Sequence, residues 1–208
     1  MRRFLPVLLG TVREENKSQD IARLVHEALE ARGFESRVIE PSFGNLATPE
    51  WDMDPRPPEV DALVADLARA DGFVLVFPEY NHSFPGALKN LIDHVFDEWN
   101  RKPFAMVSTG GMSGGIRAQE NLLPVIRGVQ GIAVPTSVAI SIPKGADKAW
   151  PAGHTGVSGT ARGYDREATR RRIDAMIDDL AWWADALAAG RRKDARCAQV
   201  EPTLVTKP

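Results

Sequence analysis

The residues best equipped for chemistry fall in three short segments, at 10–18, 78–86 and 108–115. The first is Gly10-Thr11-Val12-Arg13-Glu14-Glu15-Asn16-Lys17-Ser18, which runs into sequence of helical period. Free N–H groups at a helix start, the Thr11 and Ser18 hydroxyls and the Arg13 fork together suit a phosphate. The spacing is neither GxxxxGK[ST] nor GxGxxG. A plain polar loop with Ser18 as helix N-cap accounts for this segment equally well.

The second segment, Pro78-Glu79-Tyr80-Asn81-His82-Ser83-Phe84-Pro85-Gly86, offers an aromatic face, main-chain amides and an Asn side chain beside a stiff turn. Such a set can stack on and hydrogen-bond a flat heterocycle. Taken alone it also reads as an ordinary connection in which Tyr80 packs. The third, Ser108-Thr109-Gly110-Gly111-Met112-Ser113-Gly114-Gly115, has four glycines that allow close backbone approach and convergent amides. It also contains a literal GxSxG, the nucleophile elbow of serine hydrolases, with Ser113 as nucleophile. The downstream partners for that triad would be Asp147 and His154, in a glycine-rich stretch poorly suited to orienting an imidazole.

These segments need elements to position them. Apolar runs of strand length alternate with stretches of helical period, the pattern of βαβ units and a mainly parallel sheet. Strands are expected over 3–9, 36–40, 73–77, 104–107 and 132–142, the last interrupted near Pro135. Phe73-Val74-Leu75-Val76-Phe77 is continuously apolar, as a strand covered on both faces should be. Helices are expected from Ser18 to a stop at Gly33, through Val60 to Leu67, from Pro85, from Gly115 with a kink at Pro124, and from an Asp165 cap to Gly190. Five strands in the order 2-1-3-4-5 place ligands beyond the carboxyl ends, near the reversal of order. All three segments then meet at one site.

Composition sets the remaining limits. The 208 residues suffice for one domain, assigned to 1–190 with a tail from 191 to 208. A net charge of −2 gives no case for nucleic acid or an anionic membrane. The clusters Arg170-Arg171-Arg172 and Arg191-Arg192-Lys193 read as a solvated helix face and a tail. One cysteine, Cys197, rules out an internal disulfide, and the four histidines show no metal-ligand spacing. The apolar start is too short for a signal peptide and no run approaches the length of a membrane span, so a cytoplasmic protein is expected.

Taken together, the segments resemble the NADPH-dependent FMN reductase family, which includes flavin, quinone, azo-dye and chromate reductases. The family pattern opens with Gly-[Ser/Thr]-x-Arg and a later Ser, here Gly10, Thr11, Arg13 and Ser18. Its central signature stands unbroken from Pro78 to Asp93, and a glycine-rich loop leads into Arg117-Ala118-Gln119. The likeness spans residues 3–142. It implies a flavodoxin-like three-layer α/β sandwich and FMN as cofactor, with NADPH or NADH as hydride donor. It further implies that Thr11, Arg13 and Ser18 hold the phosphate. Pro78, Glu79, Tyr80 and Asn81 would line the isoalloxazine, and Ser108, Thr109, Gly110 and Gly111 its pyrimidine side. Gln19 stands where many members have Asn, which leaves its part in phosphate binding open.

The implied activity is ping-pong transfer of a hydride from NAD(P)H through flavin N5 to a quinone, azo compound, free flavin or similar acceptor. In that scheme the protein supplies position and electrostatics. No catalytic acid stands out, and His82 and His154 are candidates for shaping the acceptor pocket. Family members are usually dimers or tetramers, and Phe96 and Trp99 are candidate exposed aromatics for such a contact. Residues 144–163, with Trp150-Pro151, form a long connection suited to a lid or a dimer contact. A flavodoxin-type carrier without small-molecule turnover is the second reading. Its usual strong acidity and arginine-free phosphate loop do not match this chain.

Overall fold

The computed structural model describes residues 2–13, 16–40, 58–142 and 164–193. Along the chain run β1 (Val7–Leu9), α1 (Lys17–Ala31), β2 (Val38–Ile39), α2 (Pro58–Arg69), β3 (Phe73–Pro78) and α3 (Gly86–Asp93). Then come β4 (Pro103–Gly110), α4 (Ile116–Gly128), β5 (Ile132–Ala133), β6 (Val138–Ser141) and α5 (Arg166–Lys193).

The sheet is parallel throughout, with the order β2-β1-β3-β4-β5 and β6 also on β4. The expected fifth strand is thus two short pieces. Pro135 has no N–H to give a ladder, and the next amide, Thr136 N, donates to Asp179 Oδ2 of α5 at 3.0 Å. The first two strands are also shorter than expected, since Phe4 contributes only an isolated bridge to Glu35. β4 is longer than expected and carries its ladder as far as Gly110.

Alternation along the strands explains the three layers. One row across the sheet, Val7, Val74 and Ala105, packs against α1 and α5. The adjacent row, Leu8, Leu75 and Met106, faces α2, α3 and α4. Every residue from Phe73 to Phe77 is fully buried, because β3 is central and covered on both sides.

The helix ends follow local chemistry. Asn16, not Ser18, caps α1: its Oδ1 accepts from Gln19 N at 2.8 Å. Gly33 ends the same helix with φ +85, a conformation that costs glycine little. Pro85 is the N-cap of α3 rather than its first helical residue. Asp165 caps α5, its Oδ1 accepting from Ala168 N at 2.9 Å. That helix continues to Lys193, past the expected limit at Gly190. Pro124 lies inside α4, which runs on to Gly128.

Trp99 corrects an expectation. It is buried, with its ring edge-on to Phe73 at 4.8 Å and its Nε1–H donating to the carbonyls of Ile92 and Val95. Phe96 is partly buried against the same core. Trp99 offers no free aromatic surface, and Phe96 only part of one. Exposed apolar side chains occur elsewhere, at Trp182, Val12, Met112 and Ile116 among others.

Candidate cofactor-binding site

The register of the sheet brings the three loops together. Leu9 pairs with Val76 and Pro78 with Thr109, so β1, β3 and β4 end side by side and release their loops at one edge. Gly10 N donates to Val76 O at 2.8 Å and Glu79 N to Thr109 O at 2.7 Å, which extends the ladder into the loops themselves.

Side chains tie the loops to one another. Thr11 Oγ1 lies 3.2 Å from the Tyr80 hydroxyl, and the Arg13 guanidinium sits over the Tyr80 ring, 4.7 Å from its centroid. Thr11 Oγ1 also accepts from Arg13 N at 3.3 Å. The first loop therefore meets the second at Tyr80. Ser18 Oγ lies 3.2 Å from Thr109 Oγ1, and both residues are buried. The first loop meets the third there.

Gln19 is oriented differently. Its Nε2 donates to Glu40 Oε1 at 3.2 Å, at the end of β2. Asn16, which the sequence reading did not single out, accepts from Gln19 N and donates its own amide to Arg13 O. It shapes the first loop from inside. A residue of capping type just ahead of the helical stretch, five positions before Ile21 at the start of its apolar stripe, was the signal available.

The second loop is a two-residue hairpin turn. Tyr80 N donates to Ser83 O at 2.8 Å and Ser83 N to Tyr80 O at 3.0 Å. The two central residues, Asn81 and His82, have φ +50 and +67, the signature of a type I′ turn. Helix α4 reaches this turn at two points. Asn121 Nδ2 donates to His82 O at 2.6 Å, and Arg117 Nη1 lies 3.8 Å from Glu79 Oε1. The second Glu79 oxygen is buried and has no hydrogen-bond partner among the described residues.

The third loop turns back on itself. Gly114 and Gly115 both have positive φ, and a side chain at Gly115 would meet Ser108 Cβ and Thr109 O at 2.8 Å. Ser108 does not open outward: its Oγ donates to Gly114 O at 2.9 Å and accepts from Gln119 Nε2 at 2.7 Å. Gln119 also donates to Val138 O, and Ser141 Oγ donates to Gly111 O. Ser108 thus anchors the loop base, while Gly110 and Gly111 continue its backbone.

The hydrolase reading gains nothing from this geometry. Ser113 sits in the turn three residues beyond the end of β4, and its Oγ faces Arg117 Nη1 at 3.4 Å. Asp147 and His154 lie outside the described residues, as does the segment 144–163.

Residues 5–146 match the family described as NADPH-dependent FMN reductase. The chain belongs to that family. It is therefore an oxidoreductase of a family defined by FMN and NADPH. The NAD(P)H-dependent FMN reductase ntnL of Nectria sp is 31% identical over 156 residues, 69% of this chain and 77% of that one. The NADPH azoreductase of Bacillus sp. (strain OY1-2) is 30% identical over 138 residues, 65% of this chain and 75% of its own. Among solved structures, the flavoenzyme NAD(P)H:(acceptor) oxidoreductase FerB from Paracoccus denitrificans superposes with TM-score 0.67. It is 21% identical and covers 88% of this chain and 98% of its own, a likeness of fold.

Proposed function

We propose that this family member binds FMN across the three loops and reduces a flat acceptor, such as a quinone, an azo compound or a free flavin, with electrons from NAD(P)H. The observation that supports this reading most directly is the pair of side-chain junctions, Thr11 to Tyr80 and Ser18 to Thr109. They bring a candidate phosphate loop, an aromatic turn and a glycine-rich loop to one sheet edge.

The donor set suits the cofactor. A phosphate needs a cation, hydroxyls and amides, which Arg13, Thr11, Ser18 and the start of α1 provide. A ring system needs a shaped backbone beside it, which the turn at Pro78, Glu79, Tyr80 and Asn81 and the backbone at Thr109, Gly110 and Gly111 provide, the Glu79 and Tyr80 amides being spent on holding that shape. Bound there, the flavin supplies the two-electron chemistry. The chain's residues would hold the phosphate and orient the ring. Gln19 has no part in this proposal, since its amide is engaged by Glu40.

The purified protein tests this directly. A yellow protein that releases FMN on denaturation, or an apoprotein that takes up added FMN, is the expected result. Steady NAD(P)H oxidation should follow when a quinone or an azo dye is supplied. Failure to bind added FMN would overturn the proposal. FMN binding without turnover of any acceptor would favour a carrier instead.

A further inference from the structure

The turn that carries Tyr80 and Asn81 is held in a backbone state that its own residues favour weakly. Asn81 and His82 are both non-glycine residues at positive φ. Asparagine and histidine enter that region more often than most non-glycine residues, but neither favours it as glycine does. The most favourable pair for such a turn is Asn-Gly, and this chain has Asn-His. A contact from outside the turn adds to the two Tyr80–Ser83 bonds that close it.

That contact comes from α4. Asn121 lies 39 residues along the chain from His82 and donates Nδ2–H to the His82 carbonyl at 2.6 Å. One helical turn earlier, Arg117 approaches Glu79 on the other flank of the same loop. Residues 117 and 121 are spaced i, i+4 and share a helix face. One face of α4 thus grips both sides of the turn.

We propose that Asn121 is a positioning residue of the cofactor site: it holds the His82 carbonyl, and with it the left-handed Asn81–His82 pair, so that the turn meets the flavin ring preformed. Asn121 acts through the turn and is assigned no contact of its own with the ring. The proposal rests on the FMN reading for its ligand but not for its backbone claim. Replacing Asn121 removes the bond, the turn samples other conformations, and the flavin must bind the fraction that remains competent.

The test is a double-mutant cycle with two readouts. His82→Gly creates the Asn-Gly pair that holds a type I′ turn without help. In the wild-type background, Asn121→Ala should weaken FMN binding about tenfold, measured by quenching of FMN fluorescence on titration with apoprotein. In the His82→Gly background the same substitution should weaken it by about twofold or less. In parallel, the Ser83 amide of the apoprotein, bonded to Tyr80 O, should exchange with solvent faster in Asn121→Ala and be restored by adding His82→Gly. Equal losses in both backgrounds, or unchanged Ser83 exchange in Asn121→Ala, would overturn the proposal. If no variant binds FMN but the exchange pattern holds, the positioning role of Asn121 stands and the cofactor assignment falls.

Discussion

Ser18 and Thr109, 91 residues apart, share a buried hydroxyl–hydroxyl hydrogen bond of 3.2 Å between the first turn of α1 and the end of β4. Each hydroxyl is largely withdrawn from water. Removing one leaves the other without this partner, which costs about 1–3 kcal/mol. Thr109→Val should therefore lower unfolding stability by about that amount in urea titrations, and Thr109→Ser by distinctly less. Ser18→Ala combined with Thr109→Val should cost less than the sum of the singles, because neither hydroxyl is then stranded. Strict additivity would mean that the two hydroxyls act independently.

Arg13 stacks over Tyr80 while Tyr80 meets Thr11, so the proposed phosphate loop and ring platform share one tyrosine. An arginine that binds the phosphate should matter for FMN and hardly at all for riboflavin, which has none. Arg13→Gln is expected to weaken FMN binding by about 1.5–3 kcal/mol, the range for charge-assisted hydrogen bonds, and to leave riboflavin binding within about twofold. Tyr80→Phe keeps the ring under the guanidinium and should cost about 1 kcal/mol at most. Competitive fluorescence titration with the two flavins reads both effects. An equal loss for FMN and riboflavin would remove Arg13 from the phosphate site.

The glycines of the site have separable reasons. At Gly10 a Cβ would stand 2.7 Å from Phe77 Cβ and 3.2 Å from Leu88 Cβ, inside a packed layer. Gly10→Ala should destabilise the fold by about 1–3 kcal/mol through overpacking. At Gly111 an added Cβ meets nothing within 4 Å. Gly111→Ala is thus expected to leave thermal unfolding within about 2 °C of wild type, since no packing mechanism applies. If the flavin approaches this backbone as proposed, the same substitution should still weaken FMN binding. Unchanged FMN affinity in Gly111→Ala would move the ring away from that residue.

Much of this architecture was legible before any coordinates. Phe73 to Phe77 is continuously apolar because it lies in the centre of a doubly covered sheet, and the alternation of element types fixed the parallel order. The three loops were legible because unusual residue types are concentrated there, and the flavin reading of the central signature came from its family resemblance. What escaped reading depends on partners distant in sequence. Asn121 is an ordinary helix-surface residue until the fold sets it against His82. Trp99 looked available for an interface because its burial is decided by Phe73 and Phe104, which arrive from two different strands. The break in the last strand was anticipated at Pro135, but its geometry is completed by Asp179 on another element. Gln19 followed a family position, and only the placement of β2 reveals Glu40 as its neighbour.

At the opposite end of the sheet Lys102 is buried, and its ammonium group donates to the carbonyls of Leu67 and Ala68 at 2.7 and 2.8 Å. These are among the last carbonyls of α2, where the i→i−4 ladder runs out and Leu67 O accepts only from Ala70 N at 3.3 Å within the backbone. Burial pushes the Lys102 pKa down to about 7, helped by the nearby positive charge of Arg191 and opposed by Glu98 and Asp71. In the unfolded chain the same lysine titrates near 10.5. Between those values the unfolded state holds a proton that the folded state has released, so stability should rise with pH. Its slope can reach about 1.4 kcal/mol per pH unit. Below the folded pKa both states are protonated and this contribution is flat, with the cost of burying the charge fully present. Lys102→Met carries no such charge and should lose that slope, while also losing the bonds to Leu67 and Ala68. The variant should therefore fall furthest below wild type near pH 10 and draw level with it or overtake it near pH 6, roughly the limits of the titration window. Urea unfolding across that range decides the matter, and parallel curves for the two proteins would show that Lys102 keeps an ordinary pKa in the fold.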